Sequence, residues 1–278
     1  MKIPERLIPL IQANLIDTVT GQLQSGKEAE VYVISSSNRT LCAKVYKDKN
    51  SRTFKQRTKY TEGRKVRSSR RARAIEKKSR YGQKESESEW QNTEVDALML
   101  LGSAGVSVPK PYEYYEGVLL MEMVVDDDGD PAPRLKDIKL TKEKALKYWD
   151  VVIRQSVLML CSGIVHGDFS EYNILVAKGE LVIIDLPQSV QSTANNAYDI
   201  FERDLIQLAA FFGQYAPEIL ETNYPMEIWT HYKNGKLKPN TKLTGKFTYS
   251  KQKANVQEVL DEIESARDDE MERREFKE

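Results

Sequence analysis

Val165-His166-Gly167-Asp168-Phe169-Ser170-Glu171-Tyr172-Asn173-Ile174-Leu175 is the stretch around which the chain is organised. It sets Asp168 and Asn173 five positions apart, just after a long apolar helix pattern and just before a short strand. A second strand, Leu181-Val182-Ile183-Ile184, follows and ends in Asp185. Asp–x4–Asn, a tight hairpin and a second Asp form a constellation suited to phosphoryl transfer. Asp168 can accept a hydroxyl proton. Asn173 and Asp185 offer the hard oxygen ligands that Mg²⁺ takes together with phosphate oxygens. Three polar residues alone could be an accident of a loop, but the apolar segments on both sides argue against it.

Outward from this stretch the periodicity is helical. Residues 141–161 predict a helix capped by Thr141, with Leu146, Trp149, Ile153, Val157 and Leu160 on one face. Tyr198 to Phe212 predicts a second amphipathic helix, with Phe201, Leu205, Leu208 and Phe212 facing a core and Arg203-Asp204 in helix-surface or interlobe pairing. His231 stands beside Trp229 and Tyr232 with no Cys or second His at ligand spacing, the pattern of a core or surface histidine.

At 278 residues and 40% hydrophobic content the chain can build one large domain or two lobes sharing a cleft. No apolar run approaches the roughly 18 residues of a membrane span. The start, Met1-Lys2-Ile3-Pro4-Glu5-Arg6, lacks a signal-peptide pattern. Cys42 and Cys161 lie in apolar segments, which predicts reduced core thiols, and the expected compartment is cytoplasmic, without membrane attachment. The net charge of zero hides an asymmetry. From Lys47 to Lys84 there are 16 Lys/Arg against 3 Asp/Glu, and from Glu258 to Glu278 there are 10 acidic residues against 4 basic ones. A charge run is a solvated segment that can also meet a polyanion.

Residues 4–14 predict a short amphipathic segment with Leu7, Ile8, Leu10 and Ile11 on one side. Gly21 to Lys27 matches G-x4-G-K of a phosphate-binding P-loop, but Glu28 replaces the required Ser or Thr, and Val31-Tyr32-Val33-Ile34 is a strand where a helix must follow. The better reading is strand–loop–strand, with Ser25, Gly26 and Lys27 in a turn whose backbone N–H groups and lysine can face nucleotide phosphates. Leu41-Cys42-Ala43-Lys44-Val45-Tyr46 is the next strand and resembles the V-A-I-K strand of protein kinases. A lysine on so apolar a strand needs a carboxylate partner. The helix pattern from Trp90 to Leu101 supplies two candidates, Glu94 and Asp96, with Val95, Leu98 and Leu101 or Met99 on its core side. Val118 to Val125 is a buried strand running into Asp126-Asp127-Asp128-Gly129-Asp130, which lacks the spacing of a Ca²⁺ loop and is a polar turn. In a two-lobed kinase this is the hinge, where backbone at Glu122 and Met123 would bond adenine.

Together these motifs resemble the RIO family of atypical protein kinases, its type-one branch most. Ser25-Gly26-Lys27-Glu28-Ala29-Glu30-Val31-Tyr32 is similar to the family's nucleotide-loop signature S-T-G-K-E-A-N-V-Y, lacking the Thr and carrying Glu30 for Asn. Pro131 to Asp137, His166 to Asn173 and Ile184 to Val190 are similar to three further family stretches. Gly167 stands where many relatives have Ala, and Leu186-Pro187 replace Val-Ser or Phe-Pro.

The resemblance implies an α+β, two-lobed protein-kinase-like fold, a small β-rich N-lobe and a reduced, mostly helical C-lobe, with ATP in the cleft. It divides the chain into a helical segment at 1–15, an N-lobe at 16–123 with a basic insertion at about 47–84, a C-lobe at 124–232, and a linker and charged tail at 233–278, the last part of which predicts a solvent-exposed helix. It makes Asp168 the catalytic Asp, Asn173 and Asp185 the Mg²⁺ ligands (Mn²⁺ the alternative), and Lys44 the phosphate-positioning lysine paired with Glu94. Ser25, Gly26, Lys27, Glu28, Glu122 and Met123 complete the nucleotide site. The implied activity is transfer of the γ-phosphate of ATP to Ser/Thr hydroxyls, autophosphorylation included, or an ATPase cycle through an acyl-phosphate on Asp185. Two other readings stay open: an assembly factor binding ribosomal RNA or a small-subunit precursor through 47–84, and a small-molecule kinase, since aminoglycoside and choline phosphotransferases share the H-G-D-x4-N loop.

Overall fold

A computed structural model describes residues 3–26, 28–47 and 94–246. Lys27, nearly all of the basic segment from Lys47 to Lys84 and the tail helix expected after residue 255 lie outside the described residues.

The N-lobe is a five-stranded sheet of β1 (Thr18–Ser25), β2 (Ala29–Ser36), β3 (Arg39–Tyr46), β4 (Pro111–Tyr115) and β5 (Val118–Glu122), ordered β1-β2-β3-β5-β4 and antiparallel at every pairing. Side chains alternate across a strand, and β3 shows the consequence. Leu41, Ala43 and Val45 pack with Leu7 and Leu10 of the N-terminal segment, where helix α1 spans Ile8–Gln12. Cys42, Lys44 and Tyr46 face the other way, toward helix α2 at 94–103 and the cleft. Lys44 pairs with Leu119 and Cys42 with Met121.

The C-lobe is built on α3 (Lys142–Cys161), capped at Thr141, whose hydroxyl accepts from Lys144 N at 3.3 Å. α3 delivers the chain to β6 (Ile164–Val165). The hairpin of β7 (Ile174–Ala177) and β8 (Glu180–Ile183) follows, and β9 (Val190–Gln191) returns to pair with β6. That pairing holds the segment after Asp185 against the loop carrying Asp168. α4 (Ala197–Gly213) and α5 (Tyr224–Lys233) close the lobe, with the Trp149 ring 5.9 Å from Phe212 and 6.1 Å from Tyr224. Between the lobes, Asp126 Oδ1 accepts from the N–H groups of Asp128 and Asp130, the polar turn that the acidic run predicts. Among the described residues no helix is long and apolar enough to cross a membrane.

Several expectations change. Cys42 is buried, but Cys161, in the last position of α3, is exposed rather than a core thiol. Ile8 is exposed while Leu7 and Leu10 are fully buried, because the segment enters α1 through a 3-10 turn and shows the sheet a narrower face. On α2, Leu98 and Leu101 are buried and Met99 is exposed. The stretch expected to be linker is packed where it begins. Buried Glu227 of α5 accepts from Thr244 N at 2.9 Å, Thr244 Oγ1 at 3.0 Å and Gly245 N at 2.8 Å, and Asn223 N donates to Gly245 O at 2.7 Å.

Candidate active site

The sheet delivers Lys44, at 7% exposure, to the back of the interlobe cleft, where its ammonium meets two carboxylates at 2.7 Å: Glu94 Oε1 on α2 and Asp185 Oδ1 beyond β8. Glu94 is buried and Asp96 is exposed, so the choice between the two falls to Glu94. The Tyr46 hydroxyl, one strand period past Lys44, donates to the other Glu94 oxygen. No local pattern announces this bond, because in one dimension Tyr46 looks like an ordinary core aromatic. Burial works to lower the Lys44 ammonium, but Asp185 and Glu94 outweigh it and hold it charged well above the usual lysine value. Burial likewise works to raise Asp185, and Lys44 beside it wins, leaving that carboxyl below its ordinary value. Tyr46 moves well up through burial and the neighbouring Glu94, so its phenol stays a donor.

The loop after β6 places Asp168 on the opposite wall. Asn173 Nδ2 donates to Asp168 O at 2.8 Å and to Asp168 Oδ2 at 2.9 Å, closing the Asp–x4–Asn loop on itself. Burial raises the Asp168 carboxyl despite that hydrogen bond, which moves it toward the range of a general base. Beneath it lies His166, fully desolvated and pushed down to about 4. The neutral ring with its proton on Nε2 donates to Ile184 O at 3.1 Å and accepts from Asp168 N at Nδ1, 3.3 Å away. One histidine thus ties the Asp168 loop to the residue preceding Asp185, whose φ of +69° is the left-handed region.

Sequence reasoning placed Arg203-Asp204 in surface or interlobe pairing, and here the structure corrects it. Asp204 is buried under the Asp168 loop, accepting from Gly167 N at 3.0 Å, while Arg203 Nη2 reaches Gly167 O and Asp204 Oδ1, both at 2.7 Å. α4 grips the Gly167 peptide from below. An Asp on an amphipathic helix carries no signal in one dimension that it faces inward.

The cleft, about 540 Å³, brings Lys44, Glu94, Asp168, Asn173 and Asp185 together with Gly26, Glu28, Glu122 and Met123. Ser25 turns its hydroxyl to Glu30 at 3.3 Å and is not among the lining side chains. Glu30, the residue in place of Asn, is compensated by Lys47 at 3.2 Å and the Tyr32 hydroxyl at 2.5 Å. Lys47 also donates to Gly26 O at 2.9 Å, pinning the turn. Glu28 accepts from Gln188 at 3.2 Å across the cleft. The Glu122 N–H is taken by Lys110 O at 2.8 Å, so of that residue's backbone only the carbonyl is left for a ligand.

A β-rich lobe carrying a paired lysine, a helical lobe carrying an Asp–x4–Asn loop and a second Asp, and a cleft between them define a protein-kinase-like fold. The crystal structure of the Rio2 kinase–ADP/Mg²⁺–phosphoaspartate complex from Chaetomium thermophilum shares it, with a TM-score of 0.53 at 19% identity over 75% of this chain and 59% of that one. The RIO domain model matches residues 30–224, and the chain belongs to the RIO family. It is 32% identical over 213 residues to the serine/threonine-protein kinase rio1 of Schizosaccharomyces pombe, covering 74% of this chain and 40% of that one. It is also 32% identical to the RIO-type serine/threonine-protein kinase Rio1 of Haloferax volcanii, over 73% of this chain and 66% of that one. The chain thus spans between two fifths and two thirds of the length of these relatives.

Proposed function

We propose that the chain is an ATP- and Mg²⁺-dependent phosphotransferase, a RIO-type protein kinase that moves a γ-phosphoryl group to Ser/Thr hydroxyls, its own included. One observation carries this reading: Lys44, Glu94, Asp168, Asn173 and Asp185, from widely separated points of the chain, line a single cleft. Lys44, held by Glu94, takes α/β-phosphate oxygens. Adenine bonds the carbonyl of Glu122 and backbone of Met123, and the Ser25–Gly26–Lys27–Glu28 turn covers the phosphates. Asp168 orients the acceptor hydroxyl and takes its proton as the oxygen bonds the γ-phosphorus and the bond to the β–γ bridging oxygen breaks, releasing ADP. Positioning and charge neutralisation supply most of the acceleration in such chemistry.

The donor set fits Mg²⁺. Asn173 spends its amide nitrogen on Asp168, leaving the amide oxygen, and Asp185 gives one oxygen to Lys44 and keeps the other. Asn173 and Asp185 would hold Mg²⁺, which would neutralise charge on the triphosphate, and Mn²⁺ would suit the same oxygens.

A second reading is favoured by the phosphoaspartate named for the Rio2 complex. An Asp185 oxygen would bond the γ-phosphorus as its bond to the β–γ bridging oxygen breaks and ADP leaves. Water would then release phosphate and restore the carboxylate, making the chain an ATPase switch, in the cytoplasm and in ribosome assembly, with the basic 47–84 segment meeting RNA. Incubation with Mg²⁺ and γ-labelled ATP separates the two. Acid-stable label lost in Asp168→Asn supports the kinase. Hydroxylamine-sensitive label lost in Asp185→Asn, with phosphate release, supports the switch. Neither label nor phosphate release in the unmodified protein overturns both.

A further inference from the structure

Arg134 is a cleft residue to which neither the sequence motifs nor the mechanism above gives a task. It follows the interlobe turn, and its backbone bridges to Leu175, two residues past Asn173, while Val176 N donates to Pro133 O at 2.9 Å. That anchorage fixes the Arg134 backbone on the C-lobe floor of the cleft. Its guanidinium reaches across the mouth to the Gln24 amide oxygen at the end of β1, one residue before the Ser25–Gly26 turn.

Charge decides what such a residue is for. Among the described residues lining the cleft, Lys44 and Arg134 are the cations, against five carboxylates. Lys44 is committed twice over, to Glu94 and to Asp185. Arg134 forms no ion pair among the described residues, and its partner, an amide oxygen, is neutral. A guanidinium carries five N–H donors in a fork that matches phosphate oxygens, so most of its capacity is unspent. It sits on the nucleotide side of the cleft, held at Gln24 beside the Ser25–Gly26 turn. A triphosphate entering so acidic a cleft needs a cation that is not already neutralised, and Arg134 is placed to provide one.

We propose that Arg134 binds the phosphate chain of the nucleotide, exchanging the Gln24 oxygen for phosphate oxygens, so that it both selects charged nucleotides and releases the clasp between β1 and the C-lobe on binding. The inference rests on the nucleotide-cleft reading above.

The test is the affinity of the full chain for adenosine, ADP and ATP with Mg²⁺, by calorimetry, for the unmodified protein, Arg134→Ala, Arg134→Lys and Lys44→Met. Arg134→Ala should weaken ATP by about tenfold and ADP by less, with adenosine unchanged, as expected for loss of charge-assisted bonds. Arg134→Lys should recover part of the loss. Equal weakening of all three ligands would overturn the proposal in favour of a purely mechanical clasp. Unchanged nucleotide affinity with turnover lost only toward an acidic peptide would overturn it in favour of acceptor recognition. If the unmodified protein binds no Mg²⁺–ATP, the nucleotide reading itself fails; if it binds and only Lys44→Met is impaired, this inference alone fails.

Discussion

The two walls of the cleft hold their functional groups by opposite means. On the N-lobe wall, Lys44 is fixed by charge: two carboxylates at 2.7 Å, one of them steadied by a phenol. On the C-lobe wall, Asp168 is fixed by backbone. An asparagine, a neutral histidine and, through Gly167, a buried aspartate hold the peptides on either side of it. The first arrangement stakes stability on electrostatic balance, because one partner removed leaves uncompensated buried charge. The second leaves the carboxylate itself with one neutral side-chain partner, Asn173 at 2.9 Å, and no salt bridge.

The contrast can be broken from either side, and the largest effect should come from the C-lobe wall. Asp168→Asn should reduce turnover by about three orders of magnitude or more while Mg²⁺–ATP affinity and melting temperature change little, since the amide oxygen of the substitute can still accept the Asn173 hydrogen bond. A parallel loss of ATP binding would refute the assignment. Lys44→Met should behave differently, losing both activity and about 3 kcal/mol of stability in denaturant titrations, because Glu94 and Asp185 are left facing each other. Gly167→Ala tests the backbone support. Gly167 has φ +87°, and a Cβ there would stand 2.3 Å from Gln188 O, so a loss of about 2 kcal/mol is expected by thermal melting. Tyr46→Phe removes a single hydrogen bond to Glu94 and should cost about 1 kcal/mol, with a several-fold drop in kcat/KM.

A pH dependence distinguishes the supports of the C-lobe wall. His166 is held at about 4, below its unfolded value, so its contribution is present above the unfolded pKa and is lost as pH falls from about 6.5 toward 4. Asp204, pushed up to about 6 because burial outweighs Arg203, has the opposite sign: its contribution is present at low pH and is lost as pH rises from about 4 through 6. In the unmodified protein the two slopes oppose each other across this window. Asp204→Asn removes one of them, and its stability should then fall on acidification by up to about 1.4 kcal/mol per pH unit more steeply than that of the unmodified protein. Chemical denaturation at pH 6.5, 5.5 and 4.5 reads the difference.

What was legible in the sequence follows the same division. Asp168, Asn173 and Asp185 could be read because a hairpin fixes their spacing, and Lys44 because period-two alternation assigns it a face. Glu94 and Asp96 could not be separated by pattern alone, since they flank the Val95–Leu98 stripe on opposite sides and only the packed lobe sets which flank meets Lys44. Asp204, Tyr46, Arg134 and Glu227 do their work through partners 37 to 110 positions away or through a fold-back onto α5, and no local pattern encodes such a pairing. Helix faces were predicted best where the apolar stripe was broad, as in α3 and α4, and worst at Ile8 and Met99, where a short helix or a helix end narrows the buried side.

The glycine at 167 also constrains how this site could change. Without a side chain, its loop approaches the Gln188 carbonyl more closely than any other residue would permit. Alanine at this position is therefore not a neutral neighbour in sequence space. It becomes accessible only after the segment around Gln188 has drawn back. The order of substitutions matters here, and a graft of either loop from a relative into this chain should succeed only when both loops are moved as one unit.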